Sequence, residues 1–161
     1  VTMSWPANWD ALTSGEACPM CLSGRPERDA YGIRIHSGRF TDAYLQRAGV
    51  QRGYTLVIWR GDRHVTEPTE LSDEEAAGYG AEVLTVARAL IAHYGPLKLN
   101  YETLGNTVPH LHTHLIPRFI NDPNPGGPFP LAAAAAAALP VPEEQLEAEV
   151  ADLRERLSPG T

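Results

Sequence analysis

Residues 110–114 read His-Leu-His-Thr-His, and this alternation constrains the fold more than any other stretch of the chain. A period of two belongs to an extended strand, where successive side chains point to opposite faces. On such a strand three imidazoles share one face, about 6.6 Å apart at a rise of ~3.3 Å per residue. Leu111, Thr113 and Leu115 then face the other way, toward a core. One histidine on a strand is ordinary, but three on one face of a strand otherwise fit for burial need a chemical reason. Two chemistries supply one. Alternate histidines can ligate a single metal ion. Alternatively, one imidazole attacks phosphorus while its neighbours fix its tautomer and stabilise charge. A cupin-type metal site wants a further histidine on a later strand, and none follows His114. An amidohydrolase barrel needs about 250 residues, more than the 161 of this chain.

The flanking sequence predicts a sheet for this strand to join. Tyr31–Ile35 and Gly38–Asp42 read as short strands joined at Ser37-Gly38, and Tyr54–Trp59 as a buried strand rich in β-branched and aromatic residues. Leu97–Leu104 and Val108–Ile116 read as a hairpin turning at Gly105-Asn106, with Pro117 ending its second strand. Between these, Ser72-Asp-Glu-Glu75 is a capping box that opens a long helix. Tyr79, Val83, Val86, Ala87, Leu90, Ile91 and Tyr94 form its apolar face, and Gly95-Pro96 stops it. Beyond a Pro/Gly loop at 121–130, Ala132–Ala138 reads as a short helix or spacer. Pro142–Leu157 reads as an amphipathic helix with Leu146, Val150, Leu153 and Leu157 in line.

A net charge of −7 argues against a nucleic-acid partner. The lack of a long apolar run or a basic-then-apolar leader predicts a cytoplasmic chain with no membrane partner. Both cysteines lie in Cys18-Pro-Met-Cys21, too few for a disulfide scaffold. The spacing is that of half a zinc site or of a redox pair. A redox pair would follow a strand and open a helix. Here the motif sits between the turn formers Thr13–Glu16 and Ser23–Pro26, in an irregular stretch, which favours zinc.

Residues Gly105-Asn-Thr-Val-Pro-His110-Leu-His112-Thr-His114-Leu-Ile-Pro-Arg118 resemble the signature of the histidine-triad (HIT) superfamily. That signature is a His-φ-His-φ-His-φ-φ run (φ apolar) after a Gly-polar-small segment and before Pro-Arg; Thr113 departs from it. The resemblance runs from about Cys18 to Arg118 and is nearest the zinc-containing bacterial-type branch, with diadenosine polyphosphate hydrolase-like or nucleoside phosphoramidase-like activity. It implies an α+β fold: an antiparallel sheet of about five strands, one long helix, and a homodimer. The HIT domain would span 1–130, with a zinc lobe at about 1–30, and 131–161 would hold the Ala-rich segment and C-terminal helix. One possible use of that helix is to reach the partner subunit.

The resemblance also implies that His112 attacks an α-phosphate, that His114 orients the site and contacts phosphate, and that the backbone or ring of His110 fixes the His112 tautomer. The substrate would be an adenosine 5′-phosphate derivative (a phosphoramidate, a dinucleoside polyphosphate or an adenylylated metabolite), with no organic cofactor. Asn100, Asn106 and Thr107 lie on the same hairpin as candidate donors to phosphate. Asn106 stands where the family usually has a glutamine. Asp42 is either a ribose contact or a turn aspartate. The family's structural zinc would be held by Cys18, Cys21, His64 and His110. Tyr54, where many relatives carry a fourth histidine, either supplies a hydroxyl or is core, with core favoured; Ile33 and Phe40 either line a base pocket or are core, again with core favoured. Arg118 reads as a packing or interface residue, and His36 and His93 as surface. Three other functions stay open: a nucleotidyltransferase or phosphorylase, a zinc-stabilised nucleotide-binding protein with little catalysis, and a metalloenzyme using all three histidines.

Overall fold

The structure, a computed structural model, describes residues 4–159. Two short helices, α1 (Trp9–Thr13) and α2 (Pro19–Leu22), precede strands β1 (Gly32–Ser37), β2 (Thr41–Gln46) and β3 (Thr55–Trp59). The long helix α3 (Asp73–Tyr94), the hairpin strands β4 (Lys98–Glu102) and β5 (His112–Arg118), and helices α4 (Leu131–Ala137) and α5 (Glu143–Leu157) complete the order. The five strands form one antiparallel sheet in the order β1-β2-β3-β5-β4. This is the α+β architecture expected from the sequence.

Register assigns the two faces. Ala43 pairs with Val57 and Val57 with Thr113, while Asp42 pairs with Ile58 and Ile58 with His112. Directly opposed residues share a face, so one face carries Ala43, Val57 and Thr113 and the other carries Asp42, Ile58 and His112. The first face is apolar. Ile33, Ala43, Leu45, Val57, Trp59, Leu99 and Leu115 join Val83, Val86, Ala87 and Leu90 of α3 in the core. Thr113, the departure from the apolar pattern, is satisfied there by the Tyr79 hydroxyl at 2.8 Å and the Thr103 hydroxyl at 2.9 Å.

Helix α3 begins as its capping box predicts. The Ser72 hydroxyl accepts from Glu75 N, and the Glu75 carboxylate accepts from Ser72 N. It ends at Gly95, which adopts φ 60° and ψ 45°, a left-handed conformation that suits glycine. Gly78 is needed for space, since a Cβ there would lie 2.2 Å from the Phe40 ring. Phe40 itself stacks on Trp59 with centroids 5.7 Å apart.

Several local expectations are corrected. Ile91 belongs to the outer side of α3, with 46% of its surface exposed. Pro117 does not end its strand; β5 runs on to Arg118, with Pro117 opposite Leu99. The β3 pairing stops at Leu115, so the side on which Pro117 lacks an N–H has no strand to serve. Gln51 Nε2 donates to the Pro117 carbonyl there at 2.8 Å. The loop between β4 and β5 is longer than a tight turn, running from Thr103 to Leu111. The N-terminal stretch is not wholly irregular, because Cys18 caps the one-turn helix α2, accepting from Cys21 N at 3.4 Å.

Helix α5 does not reach outward with its apolar stripe. Leu146, Val150 and Leu153 are buried in the same core as β1 and α3. Arg154 ties the helix to β1, its Nε and Nη2 donating to the Arg34 carbonyl at 3.0 and 2.6 Å. His93, expected at the surface, is part-buried and meets Asp152 of α5 at 2.5 Å. Leu153→Ala is therefore expected to cost about 2–5 kcal/mol, whereas Ile91→Ala costs under about 1 kcal/mol. Urea denaturation of the two variants against the parent checks both values.

Candidate active site and metal cluster

The histidine row divides at its first member. His110 lies ahead of β5, where Leu111 N donates to Val65 O at 2.7 Å and Trp59 N donates to Leu111 O at 2.9 Å. The backbone is not yet in strand pairing with β4, and the His110 ring has partners of its own. Its Nε2 lies 2.7 Å from Trp59 O, a pure acceptor, so Nε2 carries the hydrogen. Nδ1 therefore presents a lone pair, and it faces Cys18 Sγ and Cys21 Sγ, each at 3.4 Å. Burial pushes this imidazole down to about 4, so it is neutral at pH 7. By partners the three imidazoles divide into one held by the cysteines and Trp59 O and two that meet each other.

Those two are His112 and His114, with ring centroids 4.9 Å apart. His112 is 7% exposed. Its Nδ1 lies 2.5 Å from the carbonyl of His110, so Nδ1–H donates and Nε2 is left with the lone pair. Burial lowers the His112 pKa. Burial and then the charge of His112 push His114 down to about 4. His114 Nδ1 lies 2.7 Å from the Tyr54 hydroxyl, with the two rings only 3° from parallel. Tyr54 is thus not simply core. The alternation that puts Leu56 and Ile58 on the histidine face continues back to Tyr54, and that signal was present in the sequence.

The remaining candidates fall in different surroundings. Asn106 and Thr107 are exposed on the loop before His110, and neither side chain makes a hydrogen bond among the described residues. Asn100 lies on β4 on the histidine face, its Oδ1 accepting from Arg118 at 2.8 Å, which leaves its amide hydrogens to donate. Arg118 is a packing residue. It also donates to the carbonyls of Gly127, Pro123 and Asn124 and to Asp122, which pins the Pro/Gly loop. Between β4 and residues 125–128 this leaves a concavity of about 610 Å³ lined by Lys98, Asn100, Glu102 and Arg118. Glu102 stands opposite His114 in the register.

Asp42 is not a turn aspartate. It sits within β2, fully buried, with Arg25 Nε and Nη2 donating to its two oxygens at 2.8 and 2.7 Å. Arg34 and Arg60 approach it at 3.9 and 3.8 Å. The carboxylate is committed to these guanidinium groups and is covered by Arg25, a residue the sequence gave no reason to single out.

The second cluster joins Cys18, Cys21, His64 and His110, whose ligand atoms all lie within 4.8 Å of one another. Cys21 Sγ is 3.2 Å from His64 Nδ1. A tetrahedral zinc site, with Zn–S of about 2.3 Å and Zn–N of about 2.0–2.1 Å, has S···N edges of about 3.5 Å. The S···N distances of 3.2–3.4 Å fit that figure. The opposite nitrogen of His64, Nε2, is buried with no hydrogen-bond partner among the described residues, so this ring is held from its sulfur side. Burial and then Cys18 push the Cys21 thiol up to about 11, the reverse of an activated redox cysteine. A divalent cation would draw the protons off. The residues therefore fit a structural metal ion that would pin α2 to the start of β5.

A model of the HIT domain matches residues 40–121. The chain belongs to the HIT family. The protein named "Protein hit" of Bacillus subtilis (strain 168) is 32% identical over 96 residues, which is 56% of this chain and 65% of that protein. The chain thus spans less than two thirds of that relative. A histidine triad (HIT) protein of Sinorhizobium meliloti superposes with a TM-score of 0.67 at 30% identity, covering 78% of this chain and 89% of the other. A Zn-bound histidine triad family protein of Mycobacterium smegmatis superposes with a TM-score of 0.60 at 26% identity, covering 89% and 94%. No helix of the described residues is long and apolar enough to cross a membrane.

The Asp42 pair gives a pH prediction. Burial alone would raise the carboxyl pKa, but the hydrogen bonds from Arg25 and Ser37 and the charges of Arg25 and Arg34 outweigh it and hold the group below its usual range. A depressed folded-state pKa contributes stability that is present above the unfolded value of about 3.9 and is lost as pH falls through the lower folded value. Asp42→Asn is expected to cost about 1–3 kcal/mol at pH 7. Paired thermal melts should show that difference shrinking below about pH 4.

Proposed function

We propose that this chain is a nucleotidyl hydrolase acting on adenosine 5′-phosphate derivatives through a nucleotidyl-His112 intermediate. One observation carries the reading: His112 Nδ1–H is committed to the His110 carbonyl at 2.5 Å, so the lone pair that remains is on Nε2. A neutral imidazole with a fixed tautomer is a competent nucleophile at pH 7. In the first step Nε2 forms a bond to the α-phosphorus while the bond from phosphorus to the leaving group breaks, and its electron pair departs with that group. In the second, water attacks the same phosphorus, the N–P electrons return to Nε2, the water proton passes to solvent, and the 5′-monophosphate is released. His114 Nε2–H lies on the same face to meet the phosphoryl oxygens as their charge grows. Asn106, Thr107 and the free amide hydrogens of Asn100 are the further donors, and the concavity beside Glu102 is the place for the leaving group.

In this reading the metal held by Cys18, Cys21, His64 and His110 is zinc, and its part is structural: a closed Cys₂His₂ set has no open position for substrate. The adenosine preference rests on family membership. The homodimer forms across β4, the free edge of the sheet, where Leu97, Tyr101 and Leu104 are exposed.

Turnover of an adenosine 5′-phosphoramidate and of diadenosine tri- and tetraphosphates, by the parent and by His112→Ala, tests the catalytic reading. AMP release is expected to fall by about 10³-fold or more in the variant. Acid-quenched parent protein is expected to carry one nucleotidyl group on the peptide containing His112. Turnover that chelator abolishes, with no adduct, would replace this mechanism with a metal-dependent one. For the metal, elemental analysis is expected to give about one zinc per chain, lost together with thermal stability in Cys18→Ser and His64→Ala. Retention of metal by both variants would refute the assignment.

A further inference from the structure

Tyr54 brings a buried hydroxyl to the second face of the site. Its oxygen is 2.7 Å from His114 Nδ1, and either group could in principle supply the hydrogen. The phenol has no other hydrogen-bond partner among the described residues, so if Nδ1 donated, the hydroxyl hydrogen would be left without an acceptor in a part-buried place. The satisfied arrangement has the phenol donating to Nδ1, which puts the His114 hydrogen on Nε2. Tyr54 from ahead of β3, Glu102 from β4 and His112 on the same strand are the titratable groups that face this ring.

We propose that Tyr54 is a positioning residue that locks His114 as a neutral Nε2–H donor, and that the site therefore serves leaving groups able to depart as anions. The proposal rests on the nucleotidyl-His112 reading. For His114 to protonate a leaving group it would have to be an imidazolium, or be reprotonated at Nδ1 as it gave up Nε2–H. The first route demands a second proton at the nitrogen that already accepts from Tyr54. The second requires the phenol to ionise, yet burial and the Glu102 charge push Tyr54 up to about 12. His114 thus steadies charge on the phosphoryl oxygens without acting as a general acid. A phosphate or polyphosphate leaves an anhydride as an anion and needs no proton. An alkoxide leaving an ester, or an amide anion leaving a P–N bond, does need one. Acid anhydrides of adenosine 5′-phosphate are accordingly preferred over alkyl esters and over phosphoramidates of basic amines.

The test compares the parent, Tyr54→Phe and Tyr54→His on aryl esters of AMP graded in leaving-group acidity. It is paired with ¹⁵N NMR of the His114 ring nitrogens across pH. In the parent, kcat/KM is expected to fall steeply as the leaving group becomes more basic, with no acid limb attributable to His114 near neutral pH. Tyr54→Phe is expected to lower kcat about tenfold with KM little changed. Because burial still holds the His114 ring low, the substitution should raise that ring's titration only part of the way toward neutral pH and show a flatter leaving-group dependence on the acid side. Tyr54→His, which restores an N–H donor, is expected to recover kcat. The spectra are expected to show Nε2–H in the parent and mixed tautomers in Tyr54→Phe. A Tyr54→Phe enzyme matching the parent in kcat, pH profile and leaving-group dependence would overturn the proposal. So would a parent His114 that is Nδ1–H or protonated at neutral pH. If neither the esters nor the diadenosine polyphosphates turn over, the hydrolase reading and the leaving-group claim fall together, and the spectra alone decide whether Tyr54 fixes the tautomer.

Discussion

His110 is the joint on which the rest of the site depends, because its two ring nitrogens and its backbone carbonyl are committed in different directions. Nε2–H goes to the Trp59 carbonyl at 2.7 Å, Nδ1 faces two cysteine sulfurs at 3.4 Å, and the backbone carbonyl accepts from His112 Nδ1 at 2.5 Å. Each commitment needs the others. If Nε2–H lost Trp59 O, the ring could take the opposite tautomer and present a hydrogen to the sulfurs instead of a lone pair. If the ring moved, the carbonyl that fixes His112 would move with it. One residue thus joins the N-terminal lobe, the central strand β3 and the candidate nucleophile.

The two-faced sheet explains how such a cluster is tolerated. Buried polar groups cost free energy unless they are partnered, so the apolar work is confined to one face. There α3 and α5 cover Ile33, Val57, Trp59 and Leu115, and the polar exceptions are partnered: Thr113 with Tyr79, Thr55 with the Gly53 carbonyl and Thr41 with Glu82. The C-terminal helix belongs to this layer, since Leu146, Val150 and Leu153 complete the cover over β1. With the core complete on that side, the other face can carry Asp42, His112 and His114 in paired arrangements that do not have to hold the domain together.

What the sequence made legible follows from the range of each interaction. Helix α3 was readable to the residue at both ends because its cap and its glycine stop are local devices. The strands were readable as strands, but their ends shifted because pairing decides them: Pro117 stays in β5 since β3 has already stopped. Alternation brought out the histidines but not the separate partners of His110, because Trp59 and the cysteines lie far away in the chain. Tyr54 stood between a site hydroxyl and core, with core favoured, for a related reason. An aromatic residue before a buried strand looks like core, and only the pairing of β3 with β5 brings its hydroxyl to His114. The pairing of Asp42 with Arg25 was not legible because Arg25 comes from a segment whose placement no local pattern announces.

That segment also shows why polar ties are used where they are. Between residues 4 and 30 only Leu12 and Cys18 are buried, so apolar burial contributes little to holding the lobe on the sheet. Directional bonds take its place. Arg60 donates to Met20 O at 2.6 Å, Arg25 grips Asp42, and the sulfurs meet His64 and His110. Such ties fix orientation more tightly than apolar contact, which is non-directional. Orientation is what the lobe has to supply, because the His110 ring aims its lone pair at sulfurs carried by that lobe, and the His110 carbonyl sets the hydrogen on His112. A lobe attached by a loose apolar patch could slide without losing much stability, and the tautomer of the candidate nucleophile would lose its anchor as it did so.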